Sequence, residues 1–333
     1  MILITGGCGY IGSHIAVELI QNNYNVVIID NLCNSYLDVI YNIESITGVK
    51  VKFYNIDMMN KDLLIETLGN LKIDCVIHCA GLKSVSESTS NPLSYYDTNI
   101  NILLNLLYGM KKLNIKKLIF SSSATVYGDQ KSPLIEDSIT GINISSPYGK
   151  SKYFQEQIIY DYSKVNSITI VILRYFNPVG SHPSLLLGDN PKGFGGNLIP
   201  NILSSIINNN HITIFGKDYN TFDGTCLRDF IDIYDLANAH VKAYNYIKNC
   251  KEKYNVFNIG TGNPISVNQL LDIFQKTNNI KLNIKYSEKR KGDQDITFTD
   301  CMKANKLLKW KAKISLTESC LNAYHFYLSK EKK

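Results

Sequence analysis

Through the first half of the chain, short β-branched apolar runs alternate with stretches whose apolar positions recur at helical spacing. The runs predict strands at Ile2–Thr5, Asn25–Asp30, Val51–Ile56, Asp74–Cys79, Lys117–Ser122 and Thr169–Leu173. Helix-like segments begin between them, near Tyr10, Leu37, Lys61, Pro92 and Pro147. Over Pro92–Leu113 the proline suits a first turn, and Leu93, Tyr96, Ile100, Leu103 and Leu107 mark one face of a long helix. Strands joined by helical crossovers pair in parallel, so the pattern predicts an α/β fold, a doubly wound parallel sheet covered on both faces.

After Asn177-Pro178 this periodicity stops. Residues 178–200 are rich in Gly, Pro and Ser and read as irregular loops. Helices are expected again near Ile233–Lys248, Val267–Gln275 and Leu316–Leu328, mixed with short strands. The texture predicts one domain over residues 1–177 and a smaller mixed α/β lobe over 178–333. Residues 230–260 are candidates to return to the first domain, through a strand at Tyr254–Ile259. The tail Lys330–Lys333 is expected to fray.

Composition narrows the classes. A chain of 333 residues with 44% hydrophobic content carries ample core, which excludes a disordered or fibrous protein. No apolar run approaches the ~20 residues that span a bilayer; the best, Ile168–Leu173, is strand-sized. The first residues read as a strand rather than a leader, so a soluble, cytoplasmic protein is expected. The net charge of +6 is spread along the chain, which argues against a nucleic-acid surface. Eight cysteines form neither a CxxC pair nor a Cys/His cluster, so reduced thiols are expected and no metal site. Of 35 basic residues only Arg174, Arg228 and Arg290 are arginine. In a lysine-rich chain, arginine should persist where its planar, two-pronged donor geometry has no substitute.

The segment Gly6-Gly7-Cys8-Gly9-Tyr10-Ile11-Gly12 follows the first strand and opens the first helix. Gly7, Gly9 and Gly12 match GxGxxG, and Gly6, Gly9 and Gly12 match GxxGxxG. Such glycines permit a tight turn, close approach of the backbone to a pyrophosphate, and close helix–strand packing, with the helix N-terminus facing the phosphates. Asp30 ends the next strand, where its carboxylate would accept from adenosine ribose hydroxyls and repel an extra phosphate. The pattern predicts a Rossmann-type site for NAD rather than NADP.

Farther on, Ser146-Pro147 caps and starts a helix that places Tyr148 and Lys152 four residues apart on one face. A free phenol titrates near ~10, too high for a base at neutral pH. A neighbouring ammonium and the positive helix end are expected to make Tyr148 more acidic. The cluster Ser121-Ser122-Ser123 ends the preceding strand, at the sheet edge where such folds gather ligands. Tyr148 as proton acceptor, Lys152 as its electrostatic partner and a serine donor suit hydride transfer on an alcohol.

The sequence resembles the extended short-chain dehydrogenase/reductase family, and within it the nucleotide-sugar 4-epimerases. The resemblance rests on Gly6–His14, Asp30–Ser35, Val76–Lys83, Ser121–Gln130, Ser146–Lys152, Leu173–Gly180 and Arg290–Asp293, in order along nearly the whole chain. It implies Ser123, Tyr148 and Lys152 as the catalytic set. It implies NAD contacts from Gly6, Gly9, Tyr10, Ile11, Gly12 and Asp30. Further NAD contacts would come from Asn31, Asn34, Ser35, Asp57 and Met58, and from Cys79, Ala80, Gly81, Lys83, Thr98 and Phe176. The catalytic residues Ser123, Tyr148 and Lys152 would touch the cofactor too.

UDP-sugar contacts are implied at Asn177, Asn197, Leu198, Thr213, Phe215 and Arg228, and at Arg290, Asp293 and Thr297. Lys83, Ser123 and Tyr148 would share the sugar. Two of the three arginines therefore fall where the family holds its diphosphate, and Arg174 is left for a structural role. The implied reaction is interconversion of UDP-glucose and UDP-galactose by transient oxidation at carbon 4, in a homodimer built on the helices at 92–113 and 147–165. Departures from the family pattern occur at Thr98, at Cys79 and in the glycine-rich Gly193–Asn197. Small Thr297, where a bulky aromatic goes with refusal of N-acetylated sugars, implies acceptance of UDP-N-acetylglucosamine as well. The alternatives are a nucleotide-sugar 4,6-dehydratase or another lyase of the extended family and, more distantly, a non-catalytic NAD-binding scaffold. A dehydratase would want carboxyl groups where this chain has Ala124-Thr125.

Overall fold

The computed structural model describes residues 1–192, 198–290 and 293–331. Its first element, β1 (Ile2–Thr5), leads through the glycine loop into α1 (Tyr10–Gln21). There follow β2 (Val26–Asp30), α2 (Asp38–Thr47), β3 (Lys52–Asn55), α3 (Lys61–Gly69), β4 (Cys75–His78), α4 (Val85–Ser90) and α5 (Pro92–Lys112). Next come β5 (Lys117–Ser123), α6 (Pro147–Val165) and β6 (Thr169–Tyr175). The remainder comprises β7 (Asn177–Val179), α7 (Leu198–Ile207), β8 (Ile212–Phe215), β9 (Leu227–Asp232), α8 (Ile233–Ile247) and β10 (Tyr254–Ile259). It ends with β11 (Pro264–Ser266), α9 (Val267–Asn278), β12 (Ile284–Ser287), β13 (Ile296–Thr297) and α10 (Leu316–Glu331).

Seven strands make one sheet in the order β10-β6-β5-β4-β1-β2-β3, and every pair in it is parallel. Strands buried on both faces explain the near-continuous apolar runs. Alternate residues feed separate cores: Ile4, Ile28, Ile77 and Val171 pack with α1 and α8, whereas Leu3, Val27, Val76 and Ile172 pack with α3 and α5. The strand order reverses between β1 and β4, which opens a crevice at their carboxyl ends.

A second, four-stranded sheet joins β7, β9, β11 and β13, and β8 pairs with β12. The stretch read as irregular thus contains β7 and the start of α7. Glycine and proline density hid them, because their pairing partners lie far along the chain. Helix α4 was also unforeseen. Its sequence VSESTS has no apolar periodicity, and Ser84 starts it by accepting from the Glu87 N–H at 3.2 Å.

Strands β5 and β6 run past their expected ends into polar residues, pairing Ser122 with Arg174 and Ser123 with Tyr175. Arg174 is buried and forks onto Glu156 of α6, with Nε 3.0 Å from Oε1 and Nη2 2.7 Å from Oε2. A buried charge survives only when so paired, and this arginine is structural. Trp310 is buried too, donating Nε1–H to the Asp235 carbonyl at 3.0 Å.

Candidate active site in the sheet crevice

A cavity of about 390 Å³ occupies the crevice. Its floor is the glycine loop. Gly6 has φ +70°, and a Cβ at Gly12 would stand 2.2 Å from the Gly6 carbonyl oxygen, so neither position tolerates a side chain. No side chain caps α1, whose first-turn N–H groups are left for an anion. Asp30 closes one end. Its Oδ2 accepts from the Cys8 N–H at 2.9 Å, and its Oδ1 from Leu32 N–H at 2.8 Å and Ser35 Oγ at 3.2 Å. A carboxylate so anchored is aimed before any ligand arrives. Asn31 and Asp57 meet beside it at 3.2 Å, and both line the cavity with Asn34, Ser35 and Met58. The cradle, the uncapped helix and the acidic end fit a dinucleotide.

Ser146 caps α6 by accepting from the Gly149 N–H at 3.1 Å, with Pro147 in the first turn, so Tyr148 and Lys152 project into the same cavity. Ser123 lies near enough to the Tyr148 phenol to favour its ionised form, and the Ser123 Oγ accepts from Thr125 Oγ1 at 2.9 Å. Lys152 is buried and donates to the Ser121 carbonyl at 2.9 Å. The electrostatics differ from the sequence expectation. Burial raises the phenol above its ordinary value, and Ser123 lowers it only in part. Burial also pulls the ammonium down to about 8, so each group resists its charged form. Ser123, more than the ammonium, is the group that holds this phenol.

Cys79, Ala80, Gly81, Lys83 and Thr98 complete the wall, with Tyr10 and Ile11. Lys83 Nζ lies 2.9 Å from Asp189. Phe176 is placed otherwise: it is buried in a separate apolar cluster with Val126, Tyr127 and Leu134. Three positioning residues escaped sequence reasoning, and Ser121 was read only as part of a cluster. Asn99 holds the turn after β4, accepting from Leu82 N–H at 2.8 Å while its amide donates to the Leu82 carbonyl and to Ser151 Oγ. Ser121 Oγ is 3.1 Å from Cys79 Sγ and 2.7 Å from the Tyr175 hydroxyl, which also bonds His240 Nε2. His240 Nδ1 pairs with the Leu236 carbonyl at 2.9 Å, and burial pulls its imidazole down to about 4. Only Ser121 carried a signal, as part of a serine run.

Of the expected sugar-nucleotide residues, Arg228 and Arg290 meet at Asp293 and bring Thr297 and Phe215 with them. The Asp293 carboxylate takes Arg290 Nε at 3.0 Å and the Tyr219 hydroxyl at 3.3 Å, with Arg228 Nη2 at 3.8 Å. Arg290 also stacks over Phe215 at 5.0 Å. Arg228 is clamped by the Leu227 and Gln294 carbonyls, both 2.9 Å from Nη1. Thr297 pairs with Arg228 in the register of β13 and β9, and its hydroxyl donates to Gln294 at 2.7 Å. Asn177 donates to the Asp229 carbonyl at 3.0 Å. Thr213 lies on β8, and Leu198 opens α7. Asn197, with the rest of Gly193–Asn197, lies outside the described residues. So do the last two residues of the tail. Among the described residues no cluster of metal ligands occurs, and no helix is long and apolar enough to cross a membrane.

Residues 2–260 match the family model described as the NAD dependent epimerase/dehydratase family. The chain is 43% identical over 331 residues to UDP-glucose 4-epimerase uge1 of Schizosaccharomyces pombe, covering 98% of this chain and 93% of that protein. It is 39% identical to the UDP-glucose 4-epimerase of Bacillus subtilis, covering 98% and 97%. Among solved structures, it is similar to a UDP-glucose 4-epimerase from Bifidobacterium longum in complex with NAD+ and UDP, at a TM-score of 0.94 and 40% identity, over 99% of this chain and 98% of that one. A glycine cradle ending in an anchored aspartate, a tyrosine and lysine projecting above it, and likeness along the whole chain lead to one conclusion: this chain belongs to the NAD dependent epimerase/dehydratase family.

Proposed function

We propose that this chain is an NAD-dependent UDP-glucose 4-epimerase, an isomerase that interconverts UDP-glucose and UDP-galactose. The observation that carries the reading is that Tyr148, with Ser123 beside its phenol, projects with Lys152 into the glycine-floored cavity. Bound NAD supplies a hydride acceptor and donor for carbon 4 of the sugar. Tyr148 takes the proton of the 4-hydroxyl and returns it after the keto sugar has turned its other face. Ser123 steadies the phenol through proton loss and gain. Lys152, close enough to the site to line its wall, supports the negative charge that develops there. Arg228 and Arg290 hold the diphosphate, leaving the hexose free to turn, because UDP supplies the grip. The absence of carboxyl side chains at Ala124 and Thr125 argues against a dehydratase, which must move a proton and water across the ring.

We read residues 1–177 with 230–260 as the cofactor domain and the rest as the UDP-sugar lobe. Thr297, small and beside Arg228, supports turnover of UDP-N-acetylglucosamine too. Exposed Tyr108, Phe154 and Tyr160 on α5 and α6 support a homodimer, and eight free cysteines suit the cytoplasm. The test is coupled detection of UDP-glucose from UDP-galactose by the purified protein, first without and then with added NAD. Product supports the reading; its absence under both conditions overturns it. A parallel assay with UDP-N-acetylglucosamine decides the wider specificity, which ends if that sugar is not turned over.

A further inference from the structure

Residues 186–189 line the cavity opposite Asp30 and Asn34. They belong to a tight loop whose base is a bridge between Ser181 and Gly188 and a hydrogen bond from His182 N–H to the Leu187 carbonyl at 2.9 Å. Gly188 packs against the ring of Phe326, and a Cβ there would come within 2.5 Å of it, so the loop is seated closely on α10. From this seat its residues reach across to the other bank. Asn42 Nδ2 donates to the Leu186 carbonyl at 3.0 Å. Lys192 Nζ donates to the Leu32 carbonyl at 2.7 Å, and its N–H to Asn34 Oδ1 at 3.1 Å. Lys83 pairs with Asp189 at 2.9 Å, and Lys330 of α10 with Asp38 of α2 at 3.5 Å. Each contact joins segments that nothing in the chain's local connectivity holds together.

We propose that residues 186–192 are a strap latched across the Asp30 end of the cavity, and that opening its latches governs exchange of NAD. The inference rests on the reading that this cavity holds NAD. The cradle and the strap line one continuous cavity, so a ligand seated between the glycine loop and Asp30 is covered by the strap. Several latches are partly exposed, where polar contacts are individually weak, so the strap can open without unfolding the sheet. Collectively they slow release.

The experiment measures release of radiolabelled NAD from the loaded protein after a chase with excess unlabelled NAD. Asn42→Ala and Lys192→Met, singly and together, remove latches without touching the glycine loop, Tyr148 or the arginine cluster. The expected result is release about threefold to tenfold faster for each single variant, faster still for the pair, and unchanged turnover at saturating NAD. Lys50→Met breaks an ion pair with Glu44 toward the other end of α2 and serves as the control, with parental release expected. Parental release rates in both single variants overturn the strap, as does equal acceleration by Lys50→Met. Should the double variant fail to fold, the single ones decide. A parent that binds no NAD even in excess overturns instead the reading of the cavity, and the strap with it.

Discussion

At the scale of single residues, the proposed chemistry turns on how Tyr148 is held. A buried phenol with a raised proton affinity is a poor base until something stabilises its anion, and Ser123 is the group that the structure brings to it. Tyr148→Phe keeps the ring and removes the hydroxyl proposed as proton acceptor. Turnover should fall by about 10²–10⁴-fold while NAD stays bound, read by steady-state assay and cofactor content; substantial remaining activity would refute the role. The arginines act differently. On the proposed reading, Arg290→Ala removes a charge-assisted contact to the diphosphate in substrate and transition state alike. KM for UDP-galactose should rise on the order of tenfold or more with kcat little changed. A fall in kcat at constant KM would place Arg290 at the reacting centre instead. Arg174 shows why scarcity of a residue type identifies positions but not roles. Its guanidinium fork serves a buried carboxylate, whereas Arg228 and Arg290 are proposed to serve a diphosphate.

At the scale of elements, helix termini and short turns do the positioning. Asn99 of α5 ties the turn after β4 to Ser151 of α6 through three hydrogen bonds from one buried amide. Asn99→Ala should leave those backbone groups unpaired and cost about 2–4 kcal/mol in urea unfolding, with weaker NAD retention. An unchanged midpoint would show that the turn holds itself. Asp232 caps α8, accepting from the Tyr234 N–H at 2.7 Å and from Ser319 Oγ at 2.6 Å. Burial nevertheless pushes its carboxyl up to about 6. The folded state therefore keeps a proton that the unfolded chain has already lost between pH 4 and 6, so this group's contribution to stability declines as pH rises through that window. Asn caps equally well and does not titrate. The melting temperature of Asp232→Asn relative to the parent should thus improve from pH 4 to 6 and level off above 7. A difference that ignores pH would mean the carboxyl is ionised throughout.

At the scale of the whole molecule, α5 and α6 pack together on one face of the sheet and still leave Tyr108, Phe154 and Tyr160 exposed. Light scattering should give about twice the 37.6 kDa chain mass, and Phe154→Glu should shift it toward the monomer; a monomeric parent would end the dimer proposal. The alternation of apolar runs and helical faces was enough to specify a parallel sheet covered on both sides, because burial on two faces leaves its mark on every residue of a strand. The glycine cradle and the Tyr148–Lys152 spacing were legible for a similar reason: each is shaped by neighbours close in the chain, where backbone geometry restricts which residue fits. Asp30 was legible from its place at the end of a strand, although one of its bonds reaches Cys8, 22 positions away. What joins distant segments was not legible. Leu198–Ile207 and the strands of the smaller sheet take their form from partners far away in sequence. The Tyr175–His240 contact spans 65 positions and the Lys192–Leu32 latch 160. Local sequence governs turns, caps and periodic faces, since those energies arise within a few residues. Which buried polar group meets which, and whether a phenol is made more or less acidic by its surroundings, depends on desolvation and partners that exist only once the chain has closed on itself.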